Sequence, residues 1–124
     1  MAVRCLIVDD NRRFLRAART LLEREGLTIS GVAVTSADAL RQAAALRPDV
    51  VLVDVALGDE SGFELTRRLV ADDGHRAVIL ISTRSQAELA EAIGLSPAAG
   101  FLAKSELCAD AIRSLLDASH RASR

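Results

Sequence analysis

Four consecutive apolar residues, Val50-Val51-Leu52-Val53, run directly into a carboxylate, Asp54, and the rest of the chain is arranged around that stretch. Three of the four are β-branched. A run without polar alternation is the habit of a strand buried on both faces, as in the middle of a parallel sheet. Asp54 then sits where the strand meets water. Taken alone it reads as an ordinary loop residue, and its weight comes from the other strands.

Ala2 to Val8 is a second apolar strand and ends in Asp9-Asp10. After it, Phe14, Leu15, Ala18, Leu21 and Leu22 recur at helical spacing, with Arg12, Arg13, Arg16, Arg19 and Glu23 on the opposite side. Gly26 closes that helix. Leu27 to Val34 is a strand, and Ser36 is the expected cap of a helix to about Leu46, which Pro48 prevents from continuing. Ser61-Gly62-Phe63-Glu64 has the spacing of a capping box and opens a helix to about Ala71. Ala77 to Ile81 is a further apolar strand ending in Ser82-Thr83. Ser85 and Glu88 repeat the box spacing ahead of a helix that stops near Gly94, short of Pro97. Ala99 to Ala103 ends in Lys104. Ser105 is the expected cap of the last helix, with Leu107, Ala111, Leu115 and Ala118 as its apolar stripe.

Strand and helix thus alternate as (βα)5, which predicts an α/β domain with a doubly wound parallel sheet and helices on both faces. Right-handed crossovers leave few topologies, and the flavodoxin-like strand order 2-1-3-4-5 is expected. One domain is expected over residues 1–124, with about 118–124 a frayed end or the start of a linker and no output domain present. Half the residues are hydrophobic, yet Phe14, Phe63 and Phe101 are the only aromatics, so the core is aliphatic. A net charge of −1 argues against direct nucleic-acid binding or an anionic membrane surface. Cys5 and Cys108 are too few for a disulfide framework, which points to a reduced, cytoplasmic protein. No apolar run approaches the roughly 18 residues of a membrane span, and the early first strand leaves no room for a signal peptide.

In this topology ligands bind beyond the carboxyl ends of the strands, at the switch point between the first and third. Asp9, Asp10, Asp54, Ser82 and Lys104 all stand at such ends and should converge. Each has a bland reading as a loop, turn or surface residue; their conjunction carries the case. Clustered carboxylates repel unless a cation neutralises them, and a small set of hard oxygen ligands suits Mg²⁺. With the metal, the Lys104 charge and the Ser82 hydroxyl, the site suits an anion with several oxygens, such as a phosphoryl group.

The pieces Leu-Ile-Val-Asp9-Asp10-Asn, Val-Leu-Val-Asp54 with Gly62 beyond it, Ile-Leu-Ile-Ser82 and Gly100-Phe101-Leu-Ala-Lys104 resemble, in order and spacing, the receiver domain of two-component response regulators. The resemblance covers essentially the whole chain. It implies that Asp54 accepts a phosphoryl group from a sensor histidine kinase, with Mg²⁺ held by Asp9, Asp10, Asp54 and the backbone carbonyl of Ala56. Lys104 and Ser82 would contact the phosphoryl oxygens, and Ser82 would draw Phe101 from an exposed to a buried rotamer. Thr83 and Arg84 would modulate the site. It further implies a signalling module rather than an enzyme, a DNA-binding output domain in a longer chain, and a homodimer through helix 4, strand 5 and helix 5 or through helices 1 and 5.

Four positions depart from the family pattern. Ser105 replaces a proline whose peptide is often cis, and a non-prolyl cis bond costs about 3 kcal/mol, so this bond is open between cis and trans. Gly58-Asp59 replaces Pro-Gly, from which a looser loop is expected. Thr83 replaces a smaller residue, and Pro97 a glycine. Two readings stand beside the receiver: a pseudo-receiver or scaffold acting by protein contacts, and a haloacid-dehalogenase-type phosphatase. The second wants Asp-x-Asp where this chain has adjacent Asp9-Asp10.

Overall fold

The apolar strands are covered on both faces, as their unbroken hydrophobicity requires. In the computed structural model, which describes residues 2–122, one parallel sheet is formed by β1 (Arg4–Val8), β2 (Thr28–Ala33), β3 (Val50–Asp54), β4 (Ala77–Ser82) and β5 (Gly100–Ala103). Its order is β2-β1-β3-β4-β5, the doubly wound order expected. The helices are α1 (Arg12–Arg24), α2 (Ser36–Leu46), α3 (Gly62–Asp72), α4 (Ala90–Gly94) and α5 (Ala109–Ala122).

Because side chains alternate across a strand, one parity faces each helical layer. Cys5, Ile7, Val50, Leu52, Ile79 and Ile81 pack with Leu15, Ala18 and Leu22 of α1 and Ile112 and Leu116 of α5. Leu6, Val8, Val51, Val53, Val78 and Leu80 pack with Ala39 and Ala43 of α2 and Leu65 and Leu69 of α3. Each fully buried aliphatic side chain contributes about 1.5–3 kcal/mol, so two largely aliphatic layers, the second including Phe101, hold the domain. Cys5 lies inside this core, where burial pushes its thiol up to about 12, and both Cys5 and Cys108 are free.

Local starts and stops differ from the sequence reading in identifiable ways. The Thr35 hydroxyl, not that of Ser36, caps α2 by accepting the Asp38 N–H at 3.2 Å, while Ser36 is buried in the first turn. Ser61 does cap α3, accepting the Glu64 N–H at 3.3 Å. The Ser85–Glu88 box forms in both directions, at 3.2 and 3.5 Å, but the chain makes turns up to Leu89 before the short α4 begins. Ser105 caps nothing of α5: Lys104–Glu106 is a 3-10 turn, and α5 starts after Cys108, whose Sγ accepts the Ala111 N–H at 3.4 Å. Along α5, Ala109, Ile112 and Leu116 face the core with Leu115 packed against it, while Ala118 is exposed. α5 continues to Ala122, into the stretch expected to fray; residues 123 and 124 lie outside the described residues. No helix among the described residues is long and apolar enough to cross a membrane.

Candidate functional site

β1 and β3 are neighbours in register, Val8 opposite Val53, so the next position on each strand brings Asp9 and Asp54 side by side. Both share the parity that faces α1. Asp9 is fully buried and Asp54 nearly so. Lys104, entering from the end of β5, spans the pair: its Nζ is 2.6 Å from Asp9 Oδ2 and 3.1 Å from Asp54 Oδ2. The remaining oxygens accept backbone N–H groups, Asp9 Oδ1 from Asn11 at 2.9 Å and Asp54 Oδ1 from Ala56 at 3.1 Å. Asp10 is exposed, and one oxygen from each of Asp9, Asp10 and Asp54 lies within 4.8 Å of the others.

Those contacts have electrostatic consequences. Burial raises the Asp9 pKa above its ordinary 3.8 and outweighs the hydrogen bonds from Lys104 and Asn11, with the Asp54 charge adding to the rise. Burial pushes Lys104 the other way, but its bonds to Asp9 and Asp54 prevail and hold the ammonium above 10.5. Asp9 Oδ2 is buried without a hydrogen bond of good alignment; its contact is the ion pair with Lys104. A buried acceptor in that condition, next to two further carboxylates, fits a hard divalent cation with oxygen ligands.

The other expected residues are brought to the same edge. Ser82 is buried at the end of β4, and its Oγ accepts the Arg84 N–H at 2.9 Å, which leaves the hydroxyl proton to donate elsewhere. Thr83 and Arg84 are exposed, and Arg84 pairs with Glu88 at 3.2 Å. Ala56 lies in a two-residue strand, Ala56–Leu57, paired antiparallel with Glu60–Ser61. The loop after Asp54 is therefore a closed ribbon, not the loose segment expected. Gly58 makes this turn with φ +58°, the first central position of a two-residue hairpin where glycine is required. Glu60 pins the ribbon to α2 by accepting the Ser36 N–H at 3.0 Å. The Lys104–Ser105 peptide is trans.

Phe101 departs from the rotamer implied for the unphosphorylated state. It is already buried, at 8% exposure, in the layer that includes Leu89, with Ile93 and Ala98 packed against it. Helical spacing puts Phe14 in the α1 stripe. Its ring lies under Lys104, with Nζ 4.3 Å from the centroid. Helical periodicity marks Phe14 as inward-facing; which strand end it meets is set by tertiary packing.

A five-stranded parallel sheet in this order, with acidic residues and a lysine gathered at the switch point, defines a receiver-type α/β architecture. Residues 5–116 match the response regulator receiver domain, and the chain belongs to that family. Response regulator GacA of Pseudomonas aeruginosa is 31% identical over 103 residues, covering 82% of this chain and 48% of that protein. A LuxR-family two-component response regulator from Aurantimonas superposes with a TM-score of 0.86 at 25% identity, over 95% of this chain and 87% of the other. A CheY-like receiver domain protein from Methanospirillum hungatei gives 0.83 at 23% identity, over 98% of each chain. The chain spans about half the length of the GacA regulators it matches.

Proposed function

We propose that this domain is a phosphoacceptor switch in which Asp54 receives a phosphoryl group from the phosphohistidine of a sensor kinase. The observation that carries the reading is the ammonium of Lys104 held between Asp9 and Asp54 at the strand ends, with Asp10 beside them. An Asp54 oxygen forms the new O–P bond as the P–N bond of phosphohistidine breaks, and the imidazole leaves. The Ala56 N–H on Oδ1 orients the carboxylate for this in-line displacement. Lys104 then turns from the carboxylate to a phosphoryl oxygen, and the Ser82 hydroxyl donates to another. Mg²⁺, held by Asp9, Asp10, Asp54 and the Ala56 carbonyl, would supply neutralisation of the charge on the transferring group.

Phe101 is already inward, so the output of the switch runs through Ser82, its bond to Arg84 and the segment up to α4, and Thr83 and Arg84 tune access to it. The domain acts in the cytoplasm, within a longer regulator whose output domain binds DNA, and self-association uses the α4-β5-α5 or α1-α5 face. The half-length match to GacA supports the longer regulator.

The test is incubation with phosphoramidate and Mg²⁺, followed by intact mass. Wild type is expected to gain one phosphoryl group, and Asp54→Asn none, with an unchanged circular dichroism spectrum. Equal labelling of the variant would remove Asp54 from its role. An unmodified wild type would favour a scaffold, and continued release of phosphate with no adduct a phosphatase.

A further inference from the structure

Lys104 is the single lysine of the chain; every other basic side chain apart from two histidines is arginine. A compact ammonium can pair with two carboxylates while resting on an aromatic face, which a planar guanidinium does not do in the same space. That is the arrangement around Lys104: Asp9 at 2.6 Å, Asp54 at 3.1 Å and the Phe14 ring centroid at 4.3 Å. We infer that Phe14 is a positioning residue, a neutral platform that keeps Lys104 in the site when a divalent cation takes over its carboxylate partners. The inference rests on the phosphoacceptor reading for its purpose, though not for its geometry.

Lys104 and a divalent cation compete for the same oxygens. Were Lys104 held by Asp9 and Asp54 alone, metal binding would withdraw its partners and repel it as a like charge. The ring face attracts the ammonium without offering an oxygen to the metal, so it holds Lys104 in either state. The ring is also indexed to the site through the backbone. Asp9 Oδ1 accepts the Asn11 N–H at 2.9 Å, and the Asn11 side chain caps α1 by accepting the Phe14 N–H at 3.1 Å. Asp9 and Phe14 are thereby fixed to one another by two short hydrogen-bonded links. Phe14 also packs against the α1–α5 layer of the core, which limits movement of the ring.

Because Lys104 is unique, a protein made with ¹³C-lysine gives one ε-methylene signal. In wild type this signal is expected upfield of free lysine through the ring current, and to stay there throughout a Mg²⁺ titration. In Phe14→Leu it is expected near the free-lysine position and to sharpen as Mg²⁺ is added and the side chain is released. Phosphorylation by phosphoramidate should be about tenfold slower at saturating donor in this variant, with the donor KM unchanged, and Phe14→Tyr should restore the rate to within about twofold. Circular dichroism checks the fold, and Phe14→Met replaces the leucine variant if that fails. A wild-type signal at the free-lysine position, or Leu and wild-type proteins alike in both signal and rate, overturns the inference. A wild type that takes up no phosphate defeats the phosphoacceptor reading instead, and the lysine signal under Mg²⁺ still decides the role of Phe14.

Discussion

Asp9 has a carboxylate with no exposure to water, and its pKa is raised because burial disfavours the ionised form more than Lys104 and the Asn11 amide favour it. The folded chain therefore binds this proton more tightly than the unfolded chain. The stability Asp9 gives is fully present below pH 3.8 and is lost as the pH rises through the folded value. At neutral pH the buried carboxylate works against folding. Asn mimics the neutral form and leaves Lys104 paired with Asp54, so replacing Asp9 by Asn in metal-free protein should raise stability at neutral pH and flatten its fall above pH 3.8. The same change should abolish stabilisation by Mg²⁺, since a member of the carboxylate set is gone. Thermal unfolding across pH, with and without Mg²⁺, measures both; a lower metal-free midpoint for Asp9→Asn at neutral pH would contradict the desolvation cost assigned to this carboxylate.

At the scale of elements, the junction of β3 and α3 leaves no room for a side chain at Gly62. A Cβ at Gly62 would lie 1.9 Å from the Asp54 carbonyl oxygen and 2.7 Å from Val55 Cα, backbone atoms that cannot swing aside. The Gly62 N–H also reaches the Val55 carbonyl at 2.9 Å, so the start of α3 is stitched to the residue after Asp54. Gly62→Ala is expected to destabilise the domain by about 3 kcal/mol or more, in the range of severe packing errors, and to impair phosphorylation by displacing the acceptor strand end. Urea unfolding gives the first quantity and intact mass the second; an alanine variant as stable as wild type would mean that α3 can shift freely. The phase of α5 offers a cleaner packing test. Ile112 is fully buried and Ala118 exposed, so Ile112→Ala should cost about 2–5 kcal/mol and Ala118→Ser almost nothing.

For the molecule as a whole, stability is unevenly distributed. β1, β3 and β4 are covered on both faces, whereas the segment from Thr83 to Glu88 is exposed and α4 spans only Ala90–Gly94. Short helices with few buried contacts open at low free energy and are the natural movers of a switch. Adding beryllofluoride with Mg²⁺ as a phosphoryl mimic should change amide exchange over Ser82 to Lys104 more than in α1. Changes confined to the ribbon after Asp54 would instead direct the output towards α2, to which Glu60 ties that ribbon.

The five strands were legible because a parallel sheet needs unbroken apolar runs, and such runs are visible one residue at a time. The convergence of Asp9, Asp10, Asp54, Ser82 and Lys104 was legible too, since the (βα)5 pattern leaves few strand orders and puts every strand's carboxyl end on one edge. Helix starts were less so: Thr35 and Ser36 are chemically equivalent caps, and Cys108 instead of Ser105 opens α5 because a 3-10 turn intervenes. The buried state of Phe101, the closed ribbon after Asp54 and the Phe14 ring beneath Lys104 belonged to tertiary structure alone. Each depends on the distance between segments remote in sequence, and periodicity says which way a side chain faces without saying what it meets.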